Sequence, residues 1–184
     1  DEGMTTPEWL KGGVMYQIFP DRFAKGTPDP DNEPQIPVDR QPHVNWSDLP
    51  VWQPNEKGVI TNSDYFGGDL KGVQEKLSYL RSLGVTCIYF NPIFESHENH
   101  RYSTACYERI DVLMGTEKDF SELCRKAGEM GIKIILDGVF SHTGADSVYF
   151  NKFGRYGEHS GAFRDPESPY RDWYSFINYP NTYE

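Results

Sequence analysis

Residues 132–144 read IKIILDGVFSHTG, and this stretch decides the fold. Ile134, Ile135 and Leu136 form a short apolar run rich in β-branched side chains, behind a polar turn at Gly128–Gly131. Such a run reads as a buried strand. It ends in Asp137, and His142 follows in the next few residues. Parallel α/β sheets and barrels present active-site groups this way, at the C-terminal ends of their strands. The plainer alternative is a strand followed by a capping Asp and a surface His, since function has to be argued from a site and not from a fold.

Upstream, Thr116 to Met130 carries Phe120, Leu123, Cys124 and Ala127 at i, i+3, i+4 and i+7, the apolar face of a helix. Thr116 with Asp119 resembles a capping box at its start. Before it, Thr86 to Phe90 (TCIYF) reads as a second strand, closed by Asn91-Pro92, and a polar loop is expected to follow. Tyr65 to Gly84 reads as a loop leading into a helix, with Val73, Leu77, Leu80 and Leu83 at helical spacing and Gly84 as its stop. Gly67-Gly68 could open a phosphate loop, but Asp69 would cap the amides itself and repel an anion. The first strand is Val14 to Phe19 (VMYQIF), ended by Pro20 and followed by Asp21-Arg22.

Strand, helix, strand, helix, strand is the order of right-handed βαβ units in a parallel sheet. The long, chemically rich loops all leave the C-terminal ends of strands, as on the active face of a (β/α) barrel. A full barrel takes about 250 residues; the 184 here show three strands. Two segments stand apart. Ala24 to Asp64 is irregular and holds seven prolines. A loop of that length is either functional, ordered by a ligand, or a solvated insertion. Residues 145–184 are rich in rings, from Tyr149 to Tyr183, with only Val148 and Ile177 as branched aliphatics. Their rings either pack on one another or offer platforms for the apolar face of a sugar.

Asp plus Glu is 28 against 18 Lys plus Arg, a net charge of −10 spread along the chain, which argues against a nucleic-acid partner. No apolar run is long enough to span a membrane. The opening residues DEGMTTPEW show no signal-peptide pattern, and without an initiator Met the sequence reads as a piece of a longer chain. Three scattered cysteines, with Cys87 in a strand, Cys106 in a loop and Cys124 on a helix face, favour a reducing, cytoplasmic compartment over secretion. His97 and His100 lie in HENH, which lacks the spacing of a zinc-protease motif.

Four motifs in register carry a resemblance. VMYQIFPDRFAKG, YFGGDLKGVQEKLSYLRSLGV, IYFNPIFES with NHRY, and LDGVFSHTG resemble the α-amylase family, glycoside hydrolase family 13, nearest its neopullulanase and cyclomaltodextrinase members. The resemblance implies an α/β fold, the TIM (β/α)8 barrel, of which this chain holds the first three β/α units and the start of an inserted B domain. Residues 1–137 would form the N-terminal part of the barrel, with the Pro-rich loop at 24–64. Residues 138–184 would form the loop after strand three and the start of the B domain.

It further implies retaining hydrolysis of α-glucosidic bonds, with an α-glucan oligosaccharide as partner and no cofactor required. The nucleophile and acid/base carboxylates are expected beyond strand three, outside these residues. Tyr102 matches the Tyr that stacks on the sugar, and His142 the His that hydrogen-bonds it. Asp137 matches the Asp that supports the site from behind, and His100 the residue beside the Tyr. Asp31, Gly67 and Asp69 are oxygen donors for a Ca2+ site, although Ser141, Ser103, Cys106, Lys25 and Thr27 stand where calcium-binding relatives often carry other residues. An α-glucan transferase on the same site, or a catalytically dead binding or scaffold protein, are the alternatives. The isolated chain is expected to be inactive and to expose a sheet edge, which a homodimer would cover.

Overall fold

The structure, a computed structural model, describes Gly3 and residues 5–30 and 34–183. In chain order its elements are β1 (Met15–Ile18), β2 (Gln41–Pro42), β3 (Asp64–Tyr65), α1 (Leu70–Glu75), α2 (Leu77–Ser82), β4 (Cys87–Phe90), β5 (Phe94–Ser96), β6 (Thr104–Ile110), α3 (Glu117–Glu129), β7 (Lys133–Leu136), β8 (Phe176–Asn178) and β9 (Thr182–Tyr183). The frame is a parallel sheet in the order β1-β4-β7.

Strand side chains alternate between faces, so the register sorts them. Ile18, Phe90 and Leu136 pair across the sheet, as do Tyr16, Ile88 and Ile134. These side chains join Leu70, Val73, Leu77, Leu80, Leu123 and Ala127 from the helices in one apolar core. The other face carries Gln17, Tyr89 and Ile135 in register. On that face Gln17 is exposed and Tyr89 and Ile135 are half-buried.

The starts of α1 and α3 follow their side-chain chemistry. The Asp69 carboxylate accepts from the Gly72 amide at 2.6 Å and from the Gly26 amide at 3.1 Å. Thr116 and Asp119 form a reciprocal capping box. The Gly67 and Phe66 amides, which a phosphate loop would offer to an anion, donate instead to the buried Asp21 carboxylate at 3.1 Å each. Gly67 sits at φ +80°, and a Cβ on Gly68 would lie 2.0 Å from the Pro20 carbonyl oxygen, so this turn requires both glycines.

Four expectations change. Leu83 is half-exposed, because the helical stretch breaks at Lys76 and ends at Ser82; Leu70 takes its place in the core. Residues 94–110 are not a polar loop but an antiparallel hairpin, β5–β6, and Cys106 is buried in it. β7 is half-buried rather than buried, since it forms one edge of the sheet. The ring-rich tail contains a small antiparallel pair, β8–β9.

Neither long segment hangs free. The described part of 24–64 is pinned through Arg40, which forks onto Asp111 at 2.7 and 2.8 Å, and through Asp64, which takes up Arg22, His43, Asn99 and the Val51 amide. The tail is held by ring contacts. Phe150 meets Tyr174 and Tyr183 with ring centroids 4.8 Å apart, and Tyr149 lies 5.1 Å from Trp173. Such pairs each add about 0.5–1.5 kcal/mol beyond the area they bury.

Candidate active site

The C-terminal tips of β4 and β7, with the turn between β5 and β6, deliver the site. Asp137 directly follows β7, and its amide continues the ladder by donating to the Phe90 carbonyl at 3.0 Å. Tyr102 comes in from the hairpin turn and its hydroxyl donates to Asp137 Oδ2 at 2.9 Å. His142 lies on the loop after β7, and its Nε2 donates to the Tyr102 carbonyl oxygen at 3.1 Å. The Tyr102 amide donates to His100 Nδ1 at 3.0 Å, with the two rings 5.9 Å apart. Tyr102, His100, Asp137 and His142 are therefore one connected group, although 42 positions separate its ends (142 less 100).

Protonation follows from the partners. A carbonyl only accepts, so His142 carries its proton on Nε2. Its Nδ1 faces Ser141 Oγ at 3.1 Å and, in the neutral ring, is an acceptor. The donor nitrogen is thus held by the protein, and a hydroxyl replacing Ser141 would donate to the ring. Burial, reinforced by the hydrogen bond to Asp137, pushes the Tyr102 phenol up to about 12, so it remains a donor throughout the neutral range. Tyr89 is raised as well, first by its hydrogen bond to Asp137 and then by burial. The hydrogen bond from His100 outweighs burial at Glu98, and with Ser103 and Asn62 it holds that carboxyl at about 2.

Four further residues belong to this floor. Tyr89 is the second phenol whose ionisation Asp137 opposes. Gln17 Nε2 donates to Asn91 Oδ1 at 2.7 Å across the tips of β1 and β4. The period-two alternation in CIYF, with Ile88 and Phe90 in the core, is the signal that sets Tyr89 on the opposite face. The fourth, Tyr107, donates to the His142 carbonyl at 2.9 Å and also reaches the Val139 carbonyl. Beside His142 opens a groove of about 560 Å³ walled by Tyr107, Phe140, Thr143, Trp173 and Tyr174. It joins the strand tips to the ring-rich tail.

Of the three candidate calcium donors, Gly67 and Asp69 are described. Asp31 lies outside the described residues. The Asp69 Oδ1 atom is taken by the amides of Gly26 and Gly72, and burial raises its carboxyl above the usual range. Gly67 is engaged through its amide with Asp21. Among the described residues, no group of three His, Cys, Asp or Glu side chains is arranged to hold a metal, and no helix is long and apolar enough to cross a membrane.

Parallel strands whose tips gather a Tyr, an Asp and a His define an α/β protein with a strand-end site. Residues 17–183 match the family described as alpha amylase, catalytic domain, and the chain belongs to that family. It is 48% identical, over 200 aligned positions covering the whole chain, to an amylopullulanase of Thermoanaerobacterium saccharolyticum, and spans 15% of that relative. It is 40% identical to neopullulanase 2 of Thermoactinomyces vulgaris, with 97% of this chain and 26% of the relative covered. Among solved structures, the type III pullulan hydrolase from Thermococcus kodakarensis superposes with a TM-score of 0.75 at 37% identity, covering 99% of this chain and 31% of its own. The cyclic α-maltosyl-(1→6)-maltose hydrolase from Arthrobacter globiformis, in complex with that sugar, gives 0.74 at 32% identity, covering 98% and 36%. The three parallel strands are thus part of a TIM (β/α)8 barrel.

Proposed function

We propose that this chain forms one wall of the active site of a retaining hydrolase that cleaves α-glucosidic bonds in α-glucan oligosaccharides. The observation that carries the reading is the convergence of Tyr102, Asp137 and His142 at the strand tips. Tyr102 presents a ring to the apolar face of a glucose unit, and Asp137 fixes that ring through its hydroxyl. His142, tethered at Nε2, offers Nδ1 to a sugar hydroxyl in place of Ser141. The aromatic groove beside His142 suits the next glucose units along the chain.

Retention needs a nucleophile and an acid/base carboxylate about 5–5.5 Å apart. We assign both outside these residues, so Asp137 is a supporting group and the chain alone turns nothing over. The relatives named for pullulan and for a cyclic maltosyl-maltose support an α-glucan as substrate. Asp69 Oδ1 is already taken by the Gly26 and Gly72 amides, so the reading calls on no calcium ion there.

The test is kinetic. In the full-length protein acting on maltodextrin, His142→Ala is expected to lower kcat/KM by roughly ten- to a hundredfold, the worth of a hydrogen bond that tightens in the transition state. Unchanged kinetics would remove His142 from the sugar site.

A further inference from the structure

The hairpin that delivers Tyr102 encloses a buried cluster of charges. Asp111, at the end of β6, is fully buried, and Arg40 and Arg101 are buried around it. Arg40 grips Asp111 with both terminal nitrogens, at 2.7 and 2.8 Å, and also donates to the Ser96 carbonyl at 2.7 Å. Arg101 donates to Asp111 at 3.1 Å and to the Asn99 carbonyl at 2.8 Å. Both guanidinium groups lie against the buried Tyr65 ring, 5.1 and 5.3 Å from its centroid. One carboxylate and one aromatic ring thus serve two cations.

Arg101 is also backbone-strained. Its φ is +60°, a left-handed value that a non-glycine residue keeps only where its surroundings over-determine it. Tyr102 is the next residue. Rotation about the Arg101 backbone would swing the Tyr102 ring off Asp137 and its carbonyl off His142. The loop at 24–64 supplies Arg40, so that segment reaches the site through this cluster.

Resting on the sugar-binding reading of Tyr102, the geometry points to Arg40, Asp111 and Arg101 as positioning residues that hold the Tyr102 ring in its sugar-binding orientation.

A double-mutant cycle in the full-length protein, read on maltodextrin, tests this. Asp111→Asn is expected to lower kcat/KM by roughly 10²-fold in the parent, the scale of an ångström-sized misplacement. In a Tyr102→Ala background the same change is expected to cost no more than about twofold, because the residue it acts through is gone. Equal losses in both backgrounds would overturn the positioning role and leave the cluster as simple scaffolding. A Tyr102→Ala protein with unaltered kinetics would overturn the underlying reading, and this one with it. Should Asp111→Asn fail to fold, Arg40→Lys goes through the same cycle, since it keeps the buried charge and forfeits the two-pronged grip; the same two outcomes decide.

Discussion

The helix side of the sheet and the strand-tip cluster are both buried, but they are held by different forces. On the helix side, Ile18, Ile88 and Phe90 lie under Leu77, Leu80 and Leu123, and apolar contact is the whole of the interaction. At the tips, Asp111, Arg40, Arg101, Asp64 and Asn99 are buried polar groups that stay there only because they bond one another. Apolar packing is non-directional and tolerates small shifts in shape. A buried ion cluster fixes angles as well as distances, and the loss of one member strands the others. The fold places the tolerant material beneath the barrel helices and the exacting material beneath the residues that would meet a sugar.

Replacing one member of the cluster should therefore do the most damage. Asp111→Ala leaves two buried arginines without their carboxylate and is expected to destabilise the full-length protein by about 3–5 kcal/mol, with activity lost beyond what unfolding explains. Denaturant melts combined with kinetics on the folded fraction measure both. A core change should separate the regions: Leu123→Ala is expected to cost about 2–5 kcal/mol while the folded fraction keeps its kcat/KM. If Leu123→Ala changed kinetics as much as Asp111→Ala, the two regions would not differ in kind. Thr116→Ala, which removes the α3 cap, should cost about 1 kcal/mol and leave catalysis alone.

The smallest effect is a pH dependence at the cluster's rim. Glu98 titrates at about 2 in the folded protein against an ordinary value of 4.5. A depressed carboxyl contributes stability that is fully present above the unfolded value and fades as pH falls toward the folded one. Melting temperature should therefore drop between about pH 4.5 and about pH 2, and Glu98→Gln should flatten that limb. An identical limb in the variant would assign the acid sensitivity elsewhere.

Much of the helix side was legible because it is periodic. Val73, Leu77 and Leu80, and Leu123 with Ala127, repeat at helical spacing and are buried as that spacing implies. Leu83 kept the spacing but fell past the end of its helix. The β5–β6 hairpin was hidden because its strands carry Glu95, Glu108 and Arg109 among their apolar residues. Tyr102, Asp137, His100 and His142 were legible through motif resemblance, and they converge as a group. The cluster beneath them was not, since a buried arginine looks like a surface one in sequence and Arg40 meets Asp111 across 71 positions. Only the folded chain shows that the proline-rich segment reaches that far.

The central claim is that Tyr102 and His142 hold a glucose ring over the tips of β4 and β7. A crystal structure of the full-length protein with a bound maltooligosaccharide tests it most directly. The expected result is a glucose unit stacked on the Tyr102 ring, with a hydroxyl on His142 Nδ1 where Ser141 Oγ now sits. A sugar bound elsewhere, with the Ser141–His142 contact intact and the Tyr102 ring bare, would contradict it.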